Sequence, residues 1–273
     1  MISITESPSE YQSLESMSVN EILTGMNRED AKVHTAVNMA IPQIEALVNN
    51  ILVRMTSGGR LFYIGAGTSG RLGVLDASEI PPTFGLHGVI NGLIAGGDTA
   101  LRTAVEAAED NAATAWADLE AAGAKSCDSV IGIAASGGTP YVVGGIIQAR
   151  SRGLLTGCIS CNPSSALSQA AEYPVEIITG PEFVTGSTRL KAGTAEKMTL
   201  NMISTALMIK LGRVRGNQMV NMQLNNSKLI DRAVRMLVDA LHIPEEEAMD
   251  MLHRYGSVKQ ALDGESRRNE SES

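Results

Sequence analysis

Aromatic side chains are scarce: one Trp, five Tyr and three Phe among 273 residues. So few rings provide no stacking platform for bases or sugar faces. Basic residues are outnumbered, 22 Lys and Arg against 30 Asp and Glu, for a net charge of -8. Neutralising a nucleic-acid backbone takes clustered cations, so no nucleic-acid partner is expected. One small anion held in a local pocket remains compatible with that balance. No uninterrupted apolar run approaches the ~20 residues of a membrane span, so no membrane partner is expected either. Cysteines are few: Cys127, Cys158 and Cys161. An odd count without a recognisable leader fits a reducing cytoplasm. Cys158 and Cys161 form a C-x-x-C pair in "CISC", but at the tail of an apolar run and without a second ligand pair. That favours packing over redox or zinc chemistry.

What is abundant is order of a particular kind. From residue 61, strand-like apolar runs (61–65, 89–96, 129–136, 154–160 and 175–180) alternate with helical stretches (70–78, 99–122, 140–152 and 165–172). This alternation predicts an α/β fold with a doubly wound, five-stranded parallel sheet. Residues 1–30 read as a polar arm with a short helix, and 31–57 as two helical pieces broken at Pro42. Residues 189–214 read as one long helix, and 227–262 as short helices broken at Pro244 and Gly256. The expected organisation is 1–57 arm and helices, 58–222 sheet domain, 223–264 small helical module and 265–273 solvated, disordered tail.

Doubly wound sheets bind ligands beyond the carboxyl ends of their strands. The first such loop, "GAGTSG" (65–70), has G-x-G-x-x-G spacing. A dinucleotide site would need an acid about 20 residues further on, at the end of the second strand. Here Asp98 lies 28 residues past Gly70. Thr68 and Ser69 beside Gly67 instead offer hydroxyls and backbone N–H groups at a helix start, a cradle for a monophosphate. "AASGGTP" (134–140) repeats the chemistry with Ser136, Gly137 and Thr139. "TGSTRLKAGTAEK" (185–197) adds Ser187, Thr188, Lys191 and Thr194, with Arg189 as a second candidate cation. One such hydroxyl is an ordinary helix cap; three hydroxyl-bearing loops after strands of one sheet favour a phosphorylated small ligand. Among carboxylates, Glu79 is held by Pro81 and Pro82, while Glu106 and Glu109 are expected to share a helix face, with Asp110 next to them. Spacing alone leaves Glu106, Glu109 and Asp110 as equal candidates.

The segments "IGAGTSGRLGVLDASEIPPTFG", "GLIAGGDTALRTAVEAAEDN", "GIAASGGTPYVVGGI", "ISCNP" and "TGSTRLKAGTAEKMTLNMISTALMIKLGRVRGNQMV" closely resemble the N-acetylmuramic acid 6-phosphate etherases. The resemblance runs from about residue 5 to about 255. It implies a sugar-isomerase (SIS) domain of flavodoxin-like type, a homodimer, and catalysis without metal or dissociable cofactor. It implies cleavage of the lactyl ether of N-acetylmuramic acid 6-phosphate to N-acetylglucosamine 6-phosphate and D-lactate, in cell-wall sugar recycling. The family's two active-site glutamates fall on Glu79 in "DASE" and Glu109 in "EAAED". Its phosphate-binding hydroxyls fall on Ser69, Ser136, Thr139 and the Ser187–Thr188 region. Family members are expected to extend further, with a longer C-terminal helical module.

The implied chemistry suits two carboxyl groups on different tasks. In the open-chain sugar the ether lies beta to an aldehyde. A base removes the C2 proton while an acid protonates the departing ether oxygen; water then adds at C3. The resemblance assigns Glu79 as the acid and Glu109 as the base. The competing reading is a non-catalytic sugar-phosphate regulator of the glucokinase regulatory protein type; the presence of both glutamates favours the enzyme.

Overall fold

Apolar runs ending at glycine or serine form the centre of the molecule. A computed structural model describes residues 3–222, 224 and 227–272. By internal contacts the chain divides into two compact units, residues 1–78 with 88–207, and residues 79–87 with 208–273. The first unit holds β1 (Leu61–Gly65), β2 (Ile90–Ile94), β3 (Ser129–Ile133), β4 (Leu155–Ser160) and β5 (Tyr173–Glu176). They pair in the order β2-β1-β3-β4-β5, parallel throughout. β1, β3 and β4 are buried along their whole length, which is why their sequences run apolar without alternation. Strand order reverses at β1, so the crevice beyond the carboxyl ends of β1 and β3 is the topological switch point.

The helices are α1 (Val19–Thr56), α2 (Gly67–Ser78), α3 (Ile80–Phe84, in the second unit), α4 (Thr99–Arg102), α5 (Thr114–Ala121), α6 (Pro140–Ser151), α7 (Ala166–Ala170) and α8 (Lys191–Lys210). One core layer combines Phe62, Ile64 and Val130 of the sheet with Leu119, Tyr141 and Ile146 of α5 and α6. On the G-x-G-x-x-G turn, a Cβ added at Gly65 would lie 2.7 Å from the Gly70 nitrogen. One added at Gly70 would lie 2.8 Å from the Gly65 oxygen. The outer glycines thus let α2 start directly against β1, and Gly67, at φ +51°, makes the left-handed step between them.

α1 departs from the expected arm and broken pair. It is one 38-residue helix that runs through Pro42. A capping box starts it: the Glu21 N–H donates to Ser18 Oγ and the Ser18 N–H to the Glu21 carboxylate. Pro42 sits on the exposed face, where water can satisfy the carbonyl it strands, while Val37, Ala40, Ile44, Leu47 and Ile51 continue a buried face on both sides of it. By length and composition α1 could cross a membrane. Its buried residues recur at helical spacing and pack on β4 and β5, as a core helix does. The expected helix over 99–122 is also different. It is α4, a turn, a short 3-10 segment at Ala108–Asp110, and α5. Thr103, extended at φ −129° and ψ 132°, ends α4, and Ala107, at φ +56°, turns the chain again before the 3-10 segment.

The second unit contains a short hairpin, β6 (Val214–Arg215) with β7 (Gln218–Met219), and three helices, α9 (Ser227–Leu241), α10 (Glu245–Tyr255) and α11 (Val258–Glu272). Pro244 precedes α10, and Gly256 ends it in a left-handed conformation, at the two expected breaks. Their core is Val234, Leu237, Met251, Leu252, Val258 and Leu262 with smaller neighbours. The backbone of 265–272 is helical where the composition led us to expect no regular structure. Val258, Ala261 and Leu262 anchor the first turns of α11, and extending an existing helix costs far less than starting one.

Candidate functional site

At the switch point lies a cleft of about 290 Å³. Ala66–Ser69 wall it from the β1–α2 turn, Ala134–Ser136 and Thr139 from the β3–α6 turn, and Thr188 from the segment before α8. Glu109 and Glu6 complete the rim. The first intrahelical bond of α2 runs from Gly70 N–H to Ala66 O at 3.0 Å, so the N–H groups ahead of it have no intrahelical acceptor. Thr139 caps α6 with its carbonyl, which accepts from Val142 and Val143 N–H at 3.1 and 3.0 Å. Its side chain makes no capping bond, which leaves the hydroxyl to the cleft. Two twelve-residue helices therefore start here, between hydroxyls, in the arrangement that suits a phosphate.

The sequence-derived residues divide. Gly67, Thr68, Ser69, Ser136, Thr139, Thr188 and Glu109 all line this cleft. Gly137 shapes it from behind: its φ is +68°, its N–H donates to Ala134 O, and a Cβ there would lie 2.3 Å from Ser165. Ser187 lies outside the lining, its N–H bonded to Val184 O. Lys191 is turned into the protein. It is 1% exposed and its Nζ donates to Glu29 Oε2 at 2.6 Å. Burial alone would raise the Glu29 carboxyl, but hydrogen bonds from Lys191 and Lys32 outweigh it and hold the group below its ordinary value. The start of α8 is occupied too. The Lys191 and Ala192 N–H groups donate to the two Glu182 carboxylate oxygens at 2.9 and 3.0 Å. The third loop thus brings Thr188 to the cleft, while its lysine and helix start serve the fold.

Glu109 stands in the 3-10 segment straight after left-handed Ala107, not on a helix face with Glu106. Both side chains nevertheless line a second cleft, of about 250 Å³. This cleft shares Ala66, Gly67 and Glu109 with the first. Glu79 is exposed, between α2 and α3, and belongs to the second unit.

Four residues escaped the sequence reading. Asn162 of "ISCNP" donates to Ala135 O, Ser136 O and Thr5 Oγ1 at 3.1, 3.2 and 2.9 Å. It pins the N-terminal segment, and so Glu6, beside the β3–α6 turn. Glu196 on α8 is wholly buried and accepts from Ser69 Oγ at 2.8 Å. Its other oxygen has no partner, and burial pushes its carboxyl up to about 8 against the opposing hydrogen bond from Ser69. Arg71 lines the second cleft. A signal existed for Asn162 and Arg71, since both stand in the quoted motifs. Glu196 stands in a quoted motif as well, but nothing local marked its burial, and nothing marked Glu6.

Among the described residues no group of three metal-ligating side chains is assembled. Cys158 and Cys161 are free and buried; burial lifts the Cys158 thiol to about 12 and the Cys161 thiol well above its ordinary value. Neither is a thiolate at neutral pH, as the packing reading requires.

A family model for the N-terminal SIS domain of glucokinase regulatory protein matches residues 43–150. An N-acetylmuramic acid 6-phosphate etherase of Bacteroides thetaiotaomicron is 58% identical over 272 residues, covering 99% of this chain and 98% of its own. One from Jannaschia sp. is 53% identical over 248 residues, covering 90% of this chain and 78% of its own. Extra length is therefore a feature of some relatives, not of all. Among solved structures, a phosphoheptose isomerase of Neisseria gonorrhoeae superposes with a TM-score of 0.52 at 14% identity, over 70% of this chain and 98% of that one. At that identity the likeness speaks for the fold alone.

Proposed function

The chain belongs to the N-acetylmuramic acid 6-phosphate etherase family, and from that membership we propose how its residues carry out the reaction. The activity is that of a carbon–oxygen lyase. It converts N-acetylmuramic acid 6-phosphate to N-acetylglucosamine 6-phosphate and D-lactate, a step of peptidoglycan recycling. The observation that supports our assignment of the site is the hydroxyl-lined cleft at the switch point with Glu109 on its rim.

In this reading the phosphate lies against the starts of α2 and α6. Thr68, Ser136, Thr139 and Thr188 donate hydroxyls, and backbone N–H groups of Thr68 and Ser69 add to them, while the Ser69 hydroxyl stays with Glu196. Those bonds do no chemistry; they fix the reacting end and lower the entropic cost of reaching it. Glu109, as carboxylate, takes the C2 proton of the open-chain sugar. Glu79, as carboxylic acid, gives its proton to the ether oxygen as the C3–O bond breaks. The electron pair of the C2–H bond becomes the C2–C3 double bond, and lactate leaves with the proton from Glu79. Water then adds at C3 with the roles reversed, and C2 is reprotonated. The Glu79 assignment rests on its match to the family pattern.

The test follows C2 proton exchange with deuterated solvent alongside lactate release. Glu109→Gln should lose both, by at least ~100-fold. Glu79→Gln should keep C2 exchange and release no lactate; release at full rate overturns the assignment.

We further infer a cytoplasmic homodimer. Free cysteines favour a reducing compartment, and α1 carries separate exposed apolar side chains, Val19 and Leu23 near its start and Met39 and Val53 on the opposite side further along, at 60–78% exposure, for a second copy to cover. A monomeric mass in light scattering at micromolar concentration would contradict the dimer.

A further inference from the structure

The substrate carries two anions, and the first cleft is suited to only one of them. Its lining offers hydroxyls and amide N–H groups but no lysine or arginine. The second cleft differs. Arg71 lines it, together with Ala95, Ala100, Ala104 and Val105, and Glu109 stands on the rim of both. Arg71 Nε donates to Leu101 O at 3.2 Å. That bond fixes the plane of the guanidinium, and its two terminal nitrogens have no hydrogen-bond partner among the described residues.

We propose that this second cleft is the subsite for the carboxylate-bearing ether substituent, with Arg71 as the group that recognises its free carboxylate. The proposal rests on the etherase reading and says where the departing group sits. A guanidinium presents paired N–H donors in a flat fork that matches the two oxygens of a carboxylate. Alanine and valine walls supply methyl-sized apolar contacts for the methyl group of the substituent. Because Glu109 borders both clefts, a sugar phosphate anchored in the first would bring its C2–C3 bond to the boundary and direct the C3 substituent into the second. Arg71 is then a specificity-determining residue. It selects a substituent whose carboxylate is free over one whose carboxyl is tied up in an amide.

The experiment compares N-acetylmuramic acid 6-phosphate with its lactyl carboxamide, which keeps the shape and loses the charge. Loss of one charged hydrogen-bonding partner is worth about 100-fold. Wild type should prefer the acid by about that factor in kcat/KM. Arg71→Gln should lower kcat/KM for the acid by a similar factor while leaving the carboxamide within about threefold, so that the preference collapses; Arg71→Lys should restore part of it. Ala104→Asp places a like charge in the same cleft without touching Arg71, and should raise KM for the acid alone. Equal use of acid and carboxamide by wild type, or equal losses on both in Arg71→Gln, would overturn the subsite. So would a weakening of N-acetylglucosamine 6-phosphate binding in Arg71→Gln, which would give the arginine to the phosphate. A wild type that neither releases lactate nor exchanges the C2 proton of N-acetylglucosamine 6-phosphate would instead sink the etherase reading itself.

Discussion

Glu196 puts an ionisable carboxyl where the fold can least tolerate a charge, and replacing it with Gln removes the ionisation. The side chain is wholly buried, bonded at 2.8 Å to Ser69 Oγ, and its second oxygen has no partner. Burial lifts its carboxyl from 4.5 to about 8. In the unfolded chain the same group ionises near its ordinary value. Between those two pH values the folded state holds a proton that the unfolded state has lost. Stability from this group is therefore fully present below about pH 4.5 and falls as pH rises towards 8. At 1.36 kcal/mol per unit, the loss across the window is on the order of 5 kcal/mol. Gln cannot ionise and stays hydrogen-bonded to Ser69, so Glu196→Gln should lack this dependence. Urea unfolding of both proteins from pH 5 to 9 reads it directly, because every other titrating group is common to the pair. The advantage of the variant over wild type should grow with pH by several kcal/mol and level off above about pH 8. A difference that stays constant across the range would mean that Glu196 ionises as an ordinary, solvated carboxyl, and would refute the burial argument.

Lys191→Met should destabilise by ~3–5 kcal/mol, because it leaves the Glu29 carboxylate buried beside Lys32 alone; thermal unfolding within a degree of wild type would show that the pair is not structural. Gly70→Ala should cost ~1–3 kcal/mol, since its Cβ would meet Gly65 O at 2.8 Å and Ile94 Cγ1 at 2.6 Å; an unchanged Tm would mean that α2 can back away from β1. A thiol reagent should modify exposed Cys127 in the native protein and spare buried Cys158 and Cys161 until unfolding; three equivalents consumed by the folded chain would revive a reactive role for the C-x-x-C pair.

The sheet was legible because its three inner strands, β1, β3 and β4, are buried on both sides. They read as apolar runs that each end at a glycine or serine turn, whereas the edge strands, half-buried, carry Asn91 and Glu176 within theirs. The hydroxyl loops were legible for the same reason: once the strands are placed, the residues after them must stand at their carboxyl ends. What could not be read was pairing across long separations. Lys191 looked like a ligand-facing cation because its partner Glu29 lies 162 positions away. Glu196 meets Ser69 across 127 positions, and its significance comes from burial, which no local pattern announces. Pro42 misled because a proline rule is local, whereas the continuous buried face of α1 outweighs it. The Glu106–Glu109 spacing misled because Ala107 takes a left-handed conformation that alanine seldom adopts.

If Glu79 supplies the acid, the chain cannot break the lactyl ether without it. D-lactate release from N-acetylmuramic acid 6-phosphate in metal-free buffer, by wild type and Glu79→Gln side by side, tests it most directly. Wild type should release D-lactate and the variant none, with sugar-phosphate binding retained in both. Folded wild type that binds the sugar phosphate and releases no lactate would contradict it and turn the site into that of a sugar-phosphate sensor.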